Sequence, residues 1–96
     1  AELLGAGQSP SRPCDSTFDA REHVLLPGLI NTHHHFYQTL TRAWGPVVKQ
    51  PLFPWLKTLY PVWARLTPEK LALATKVALA ELLLSGCSTA ADHHYL

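Results

Sequence analysis

Methionine is absent, and cysteine occurs only twice, as Cys14 and Cys87, far apart and in no C-x-x-C pair. Two isolated thiols do not make the disulfide framework that staples small secreted domains. They fit a reducing cytosol, and a cytoplasmic location is expected. No basic-then-apolar leader opens the chain, so no signal peptide is expected. The longest apolar stretch is broken by Thr75, Lys76 and Glu81, which argues against a membrane span. Charge is scarce too: 8 Lys and Arg stand against 7 Asp and Glu, scattered singly, for a formal net charge of +1. That balance offers no electrostatic footprint for a nucleic acid or a membrane surface. Low-complexity tracts and internal repeats are missing as well.

What remains is a globular composition, 47% hydrophobic and 16% charged over 96 residues. Such a length suffices for one small domain with a modest buried fraction. The chain nevertheless begins inside an apolar run and stops on Tyr95-Leu96 with no terminating signal. It is expected to be a segment of a longer protein.

The rest of the chain is read around Pro27-Gly28-Leu29-Ile30-Asn31-Thr32-His33-His34-His35. An apolar run leaves a Pro-Gly turn, becomes polar at Asn31 and Thr32, and ends in three histidines. On a strand, side chains alternate, so His33 and His35 share one face and His34 takes the other. Two imidazoles on one face make half of a metal site. A run of histidines can equally be a solvated loop, because a two-ligand H-x-H is a weak pattern.

Upstream, Glu2-Leu3-Leu4 followed by Gly5-Ala6-Gly7 reads as the end of a strand running into a turn, Gln8 to Ser16 is loop, and Thr17-Phe18-Asp19-Ala20 and His23-Val24-Leu25-Leu26 are short strand candidates. His23 follows a charged turn and is not counted as a ligand. Downstream, Phe36 to Arg42 begins a helix or a broken loop, and helical turns are expected between Pro51, Pro54 and Pro61. Trp44, Trp55 and Trp63 are read as packing residues, one of which could wall a pocket for a flat ring. Leu66-Thr67-Pro68-Glu69 is a helix start with a capping Thr67, Pro68 at the first position and Leu66 stapled to Leu71. That helix should run over 68–85 and stop at Gly86. Leu71, Ala74, Val77, Ala78 and Leu82 are expected to be buried, and its other apolar residues imply burial on most sides, against a second helix or subunit.

Cys87 to Asp92 is small and apolar enough for a second, fully buried strand. Strand, helical crossover, strand is a βαβ unit and implies a parallel sheet. His93 and His94 then fall at the same end of the sheet as His33 and His35.

Leu26 to His35 resembles the first barrel strand of the amidohydrolase superfamily, whose signature is PG, two apolar residues, Asp or Asn, then x-H-x-H. Phe36 to Arg42, Leu52-Phe53-Pro54-Trp55-Leu56 and Gly86-Cys87-Ser88-Thr89-Ala90 are similar to its purine and triazine aminohydrolase branch, most of all the 8-oxoguanine deaminases. The resemblance covers nearly the whole chain. It implies an α/β fold: residues 1–26 as part of a small β-sandwich, and residues 27–96 as the first βαβ portion of a metal-dependent (β/α)8 TIM-like barrel, whose active site lies at the C-terminal rim of the strands.

The same resemblance implies zinc, or another divalent cation, held by His33 and His35, with a further His and an Asp supplied from later strands. Water so activated would attack an amidine-like ring carbon, and ammonia would leave. The general acid and base lie outside this segment. Gln38 is the candidate substrate contact, since its amide both donates and accepts. The plainer alternative for it is a surface or helix-end Gln. Roles for His34, Asp92, His93 and His94 stay open. The expected partner is a small heterocyclic substrate, best an aminated purine such as 8-oxoguanine, with an s-triazine as the alternative; a homo-oligomer is compatible. A non-catalytic domain with an adventitious His cluster is the reading from another class. The zinc nucleoside-deaminase pattern fails, because Pro13-Cys14 is followed by no second Cys at the required spacing.

Overall fold

The computed structural model describes residues 4, 5 and 7–94, so the strand end expected at Glu2-Leu3-Leu4 lies outside it except for Leu4. From Gly7 to Gly28 the chain turns and extends without forming a helix or strand. The strands expected at 17–20 and 23–26 are therefore corrected to irregular backbone. Their turn chemistry is present. Asp19 accepts from the Arg21 backbone N–H at 3.1 Å and pairs with its guanidinium, while the His23 N–H donates to the Ala20 carbonyl at 2.9 Å. What is missing is a ladder. Val24, Leu25 and Leu26 are exposed, and a lone hairpin does not hold itself together in water.

Regular structure starts after Gly28. Strand β1 spans Leu29–His34 and strand β2 spans Cys87–Asp92; they pair in parallel, with Leu29 opposite Cys87, Asn31 opposite Ala90 and His34 opposite Asp92. The parallel sheet expected from the order of elements is thus formed. Of β2 only Cys87 is buried, against the expectation of a fully buried strand. A parallel sheet is buried when helices cover both faces, and among the described residues α2 is the helix that packs on this pair. Both cysteines are free.

The crossover is helical but broken. A 3₁₀ helix runs over Phe36–Thr41, a 3₁₀ turn over Gly45–Val47, helix α1 over Leu52–Trp63 and helix α2 over Pro68–Leu84. Helix α1 is one continuous element, where separate turns between the prolines were expected. Pro54 sits in its first turn, where an N–H has no helical partner to lose, and Pro61 falls in the last turn. Helix α2 follows its sequence signals. The Thr67 hydroxyl accepts from the Lys70 N–H at 3.4 Å, Ser85 caps the C-terminus, and Gly86 takes φ +82, the left-handed conformation that ends helices cheaply in glycine.

The core is small and aromatic: Tyr37, Val47, Leu59 and Trp63, with Trp55, Leu56, Leu66 and Leu71 packed against it. Tyr37 and Trp63 meet edge to face, ring centres 5.3 Å apart. The indole N–H of Trp63 donates to the Thr41 hydroxyl at 3.0 Å, and that hydroxyl donates to the Gln38 carbonyl at 2.9 Å. These bonds tie the first 3₁₀ helix to α1. Burying Leu59 fully contributes about 1.5–3 kcal/mol.

On α2 the fully buried residues are Ala74 and Ala78, while Leu71, Val77 and Leu82 are half-buried. Two alanines one turn apart let the helix approach the 3₁₀ helix closely. Burial on most sides is not observed: Leu73, Leu79, Leu83 and Leu84 are exposed, Leu84 by 90%. Among the described residues the helix has neighbours on one side only. Trp44 is likewise 41% exposed, so of the three tryptophans it is the one that does not pack.

Candidate functional site

Strand alternation does at the end of β1 what its period requires. The rings of His33 and His35 lie on one side with centres 4.9 Å apart, and His34 turns away to meet the edge of Phe36, also at 4.9 Å. Its Nδ1 is buried, with no hydrogen-bond partner among the described residues. The end of β2 comes to the same mouth. His93 brings its ring centre to 4.2 Å from that of His33 and 5.6 Å from that of His35. The His93 N–H donates to the His34 carbonyl at 2.7 Å, which carries the pairing past the last strand residue.

Three further contacts organise this rim. His35 Nδ1 stands 2.8 Å from the His93 carbonyl. A carbonyl only accepts, so Nδ1 carries the proton and the imidazole lone pair falls on Nε2. One residue earlier, the Asp92 carboxylate accepts from the Phe36 N–H at 3.0 Å and lies 3.1 Å from His94 Nδ1.

Beside the histidines opens a cleft of about 410 Å³, lined by His33, His34, His35, Gln38, Arg42 and Trp55 among others. That volume is in the range of small-molecule sites. Gln38 projects from the 3₁₀ helix, and its Nε2 donates to the Tyr37 hydroxyl at 3.1 Å. Trp55 forms part of the apolar wall, steadied by an edge contact with Trp63 at 5.3 Å. Of the three tryptophans, then, Trp55 lines the cleft and Trp63 belongs to the core. Arg42 closes one end and pairs with Glu81 of α2; the guanidinium holds that carboxyl below its ordinary range. No pattern in the sequence announced the Arg42–Glu81 pair, because its partners are 39 positions apart.

A divalent cation fits the His33 and His35 pair as far as it goes. Both are imidazoles on one face of an open cleft, and the tautomer of His35 leaves its lone pair on the outer nitrogen. Among the described residues, no group of three His, Cys, Asp or Glu side chains is arranged to hold a metal ion. His93 adds its carbonyl and a neighbouring ring to the pair without completing a coordination group.

A strand-end H-x-H pair thus lies beside a ligand-sized cleft in a parallel strand–helix–strand unit. Residues 24–96 match the amidohydrolase family, and the chain belongs to that family, whose members are generally metal-dependent. The chain is 86% identical to the 8-oxoguanine deaminase of Pseudomonas aeruginosa over 95 residues, which cover 99% of this chain and 21% of that protein. It is 44% identical to the hydroxydechloroatrazine ethylaminohydrolase of a Pseudomonas species, over 96% of the chain and 19% of that enzyme. A 5-methylthioadenosine/S-adenosylhomocysteine deaminase from Syntrophomonas wolfei is 38% identical over 96% of the chain and 21% of its own length. The chain thus spans about a fifth of the length of the curated relatives it matches.

Proposed function

We propose that the protein containing this chain is a metal-dependent hydrolytic deaminase that releases ammonia from an aminated purine, with 8-oxoguanine as its substrate. The observation that carries this reading is the convergence of His33, His35 and Gln38 on one cleft. The 86% identity to an 8-oxoguanine deaminase over nearly the whole chain supports the choice of ring. In this reading residues 27–96 are the opening βαβ portion of a (β/α)8 barrel, and residues 1–26 belong to a small β-sandwich completed elsewhere in the longer protein.

His33 and His35 hold the cation, zinc in this proposal, and the remaining ligands and the general acid and base come from outside the segment. When bound, the cation supplies the Lewis acidity that makes water a nucleophile at neutral pH. This chain's own residues then bind and orient the ring. The Gln38 amide presents one donor and one acceptor to a purine edge, and its bond to Tyr37 limits how the amide can turn. Trp55 offers a flat apolar wall, with Val47 and Val48 also lining the cleft. His34, turned away from the pair, is not a ligand.

No helix among the described residues is long and apolar enough to cross a membrane. A small heterocyclic substrate and a cytoplasmic location complete the proposal. The similarity to the hydroxydechloroatrazine ethylaminohydrolase favours an s-triazine as the second reading. The deciding experiment is ammonia release by the full-length protein from a panel of aminated purines and s-triazines. Turnover of 8-oxoguanine well above the others is expected. Turnover of triazines alone moves the assignment to the second reading, and no turnover of any aminated ring refutes the deaminase reading.

A further inference from the structure

His35 stands where β1 ends and the first 3₁₀ helix begins, with φ −129 and ψ 87, and it provides no side-chain cap for that helix. The first turn of a helix carries backbone N–H groups that need an outside acceptor. Here the acceptor arrives from 56 residues along the chain, as Asp92 Oδ1 on the Phe36 N–H at 3.0 Å. The next residue of the same strand end, His93, offers its carbonyl to the His35 ring at 2.8 Å. The backbone on one side of His35 and the imidazole itself are therefore both gripped by adjacent residues. The strand ladder, irregular between Asn31 and His34, reaches the His34 carbonyl through the His93 N–H and stops one residue short of His35.

We propose that Asp92 is a positioning residue for the His33 and His35 pair. By pinning the Phe36 N–H it fixes where His35 sits, and by holding the end of β2 it keeps the His93 carbonyl on the His35 ring, so that the lone pair stays on Nε2. The carboxylate suits this role: a bond from a backbone N–H to a charged oxygen is about twice as strong as a neutral one. Asp92 is itself held, since its second oxygen faces His94 Nδ1 at 3.1 Å and its side chain is 20% exposed. The proposal rests on the reading that His33 and His35 hold a divalent cation.

Both parts are tested on the full-length protein, stripped of metal, by measuring zinc affinity through competition with a chelator and the melting temperature of the metal-free form. Groups that orient metal ligands typically change affinity about 10–100-fold when removed. Asp92→Ala should weaken zinc binding by that order, while the metal-free protein melts within a few degrees of wild type. Asp92→Asn keeps an oxygen for Phe36 but loses the charge, and should fall between, roughly 2–10-fold weaker. His94→Ala should stay within about twofold of wild type. Zinc affinity of wild-type strength in either Asp92 variant overturns the proposal, as do equal losses in the two. If Asp92→Ala does not fold, the Asn variant alone decides. His35→Ala separates the two readings. If it binds zinc as tightly as wild type, the metal pair itself is wrong; if it loses zinc while the Asp92 variants keep theirs, only the role of Asp92 falls.

Discussion

Gly28→Ala is the sharpest packing test the fold offers. A Cβ built at Gly28 would run into Ser88 Oγ and lie 2.6 Å from Ser88 Cβ, far inside ordinary contact. The hydroxyl can rotate away, but the Ser88 Cβ is fixed to the backbone of β2. Relief therefore requires the start of β1 to move from β2 by something on the order of 1 Å, at the point where the Leu29 N–H donates to the Gly86 carbonyl at 2.9 Å. Overpacking of this kind costs about 1–3 kcal/mol. The φ of Gly28 lies outside the left-handed region, so the penalty is steric and not conformational. Removing the obstructing atom should then cure it. In a double-mutant cycle on the full-length protein, followed by denaturant unfolding, Gly28→Ala should be destabilised, and adding Ser88→Gly should recover at least half of the loss beyond the cost of Ser88→Gly alone. Additive losses in the double mutant would refute the reasoning, as would an unperturbed Gly28→Ala.

Metal analysis of full-length variants should show His33→Ala stripped of metal and His34→Ala loaded; equal effects of the two would count against the same-face pair. Gln38→Ala should lower kcat/KM on 8-oxoguanine by about 10–100-fold, or ~1.4–2.7 kcal/mol, with bound metal unchanged. Full activity in that variant would remove Gln38 from the site. Thr67→Ala should cost about 0.5–1 kcal/mol in unfolding free energy, the lower part of the range for a lost N-cap, because its bond to Lys70 is long at 3.4 Å. The Arg42 guanidinium lowers the Glu81 carboxyl below its usual value of 4.5, so the pair's contribution is complete above that value and fades as pH falls through the lowered one. Arg42→Gln should remove this part of the acid sensitivity, seen as melting curves that differ from wild type at neutral pH and converge as the pH falls below the ordinary carboxylate range; a difference that stays constant as the pH falls would contradict it.

Local rules written in contiguous residues are legible in the amino-acid sequence alone. The alternation that puts His33 and His35 together needs only the period of a strand, and Thr67, Pro68 and Gly86 mark the ends of α2 because caps and left-handed glycines act within a turn. The parallel pairing of β1 with β2 follows from their separation by a long helical crossover. Other features depend on which distant atoms arrive. The strands expected at 17–20 and 23–26 have the right composition, but a strand exists only with a partner, and none of the described residues supplies one. The prolines of α1 suggested breaks, while the packing of Leu59 and Trp63 holds a single helix through them. Leu73 and Leu84 read as buried because their side chains are apolar, yet burial belongs to the neighbour and not to the residue. At the site, the tautomer of His35, the Asp92 bond to Phe36 and the Arg42–Glu81 pair each join residues 39 or more positions apart. Which imidazoles share a face was thus a property of the strand's own sequence. How those imidazoles are held was decided by tertiary structure, because a hydrogen bond forms between atoms that meet in space, whatever their distance along the chain.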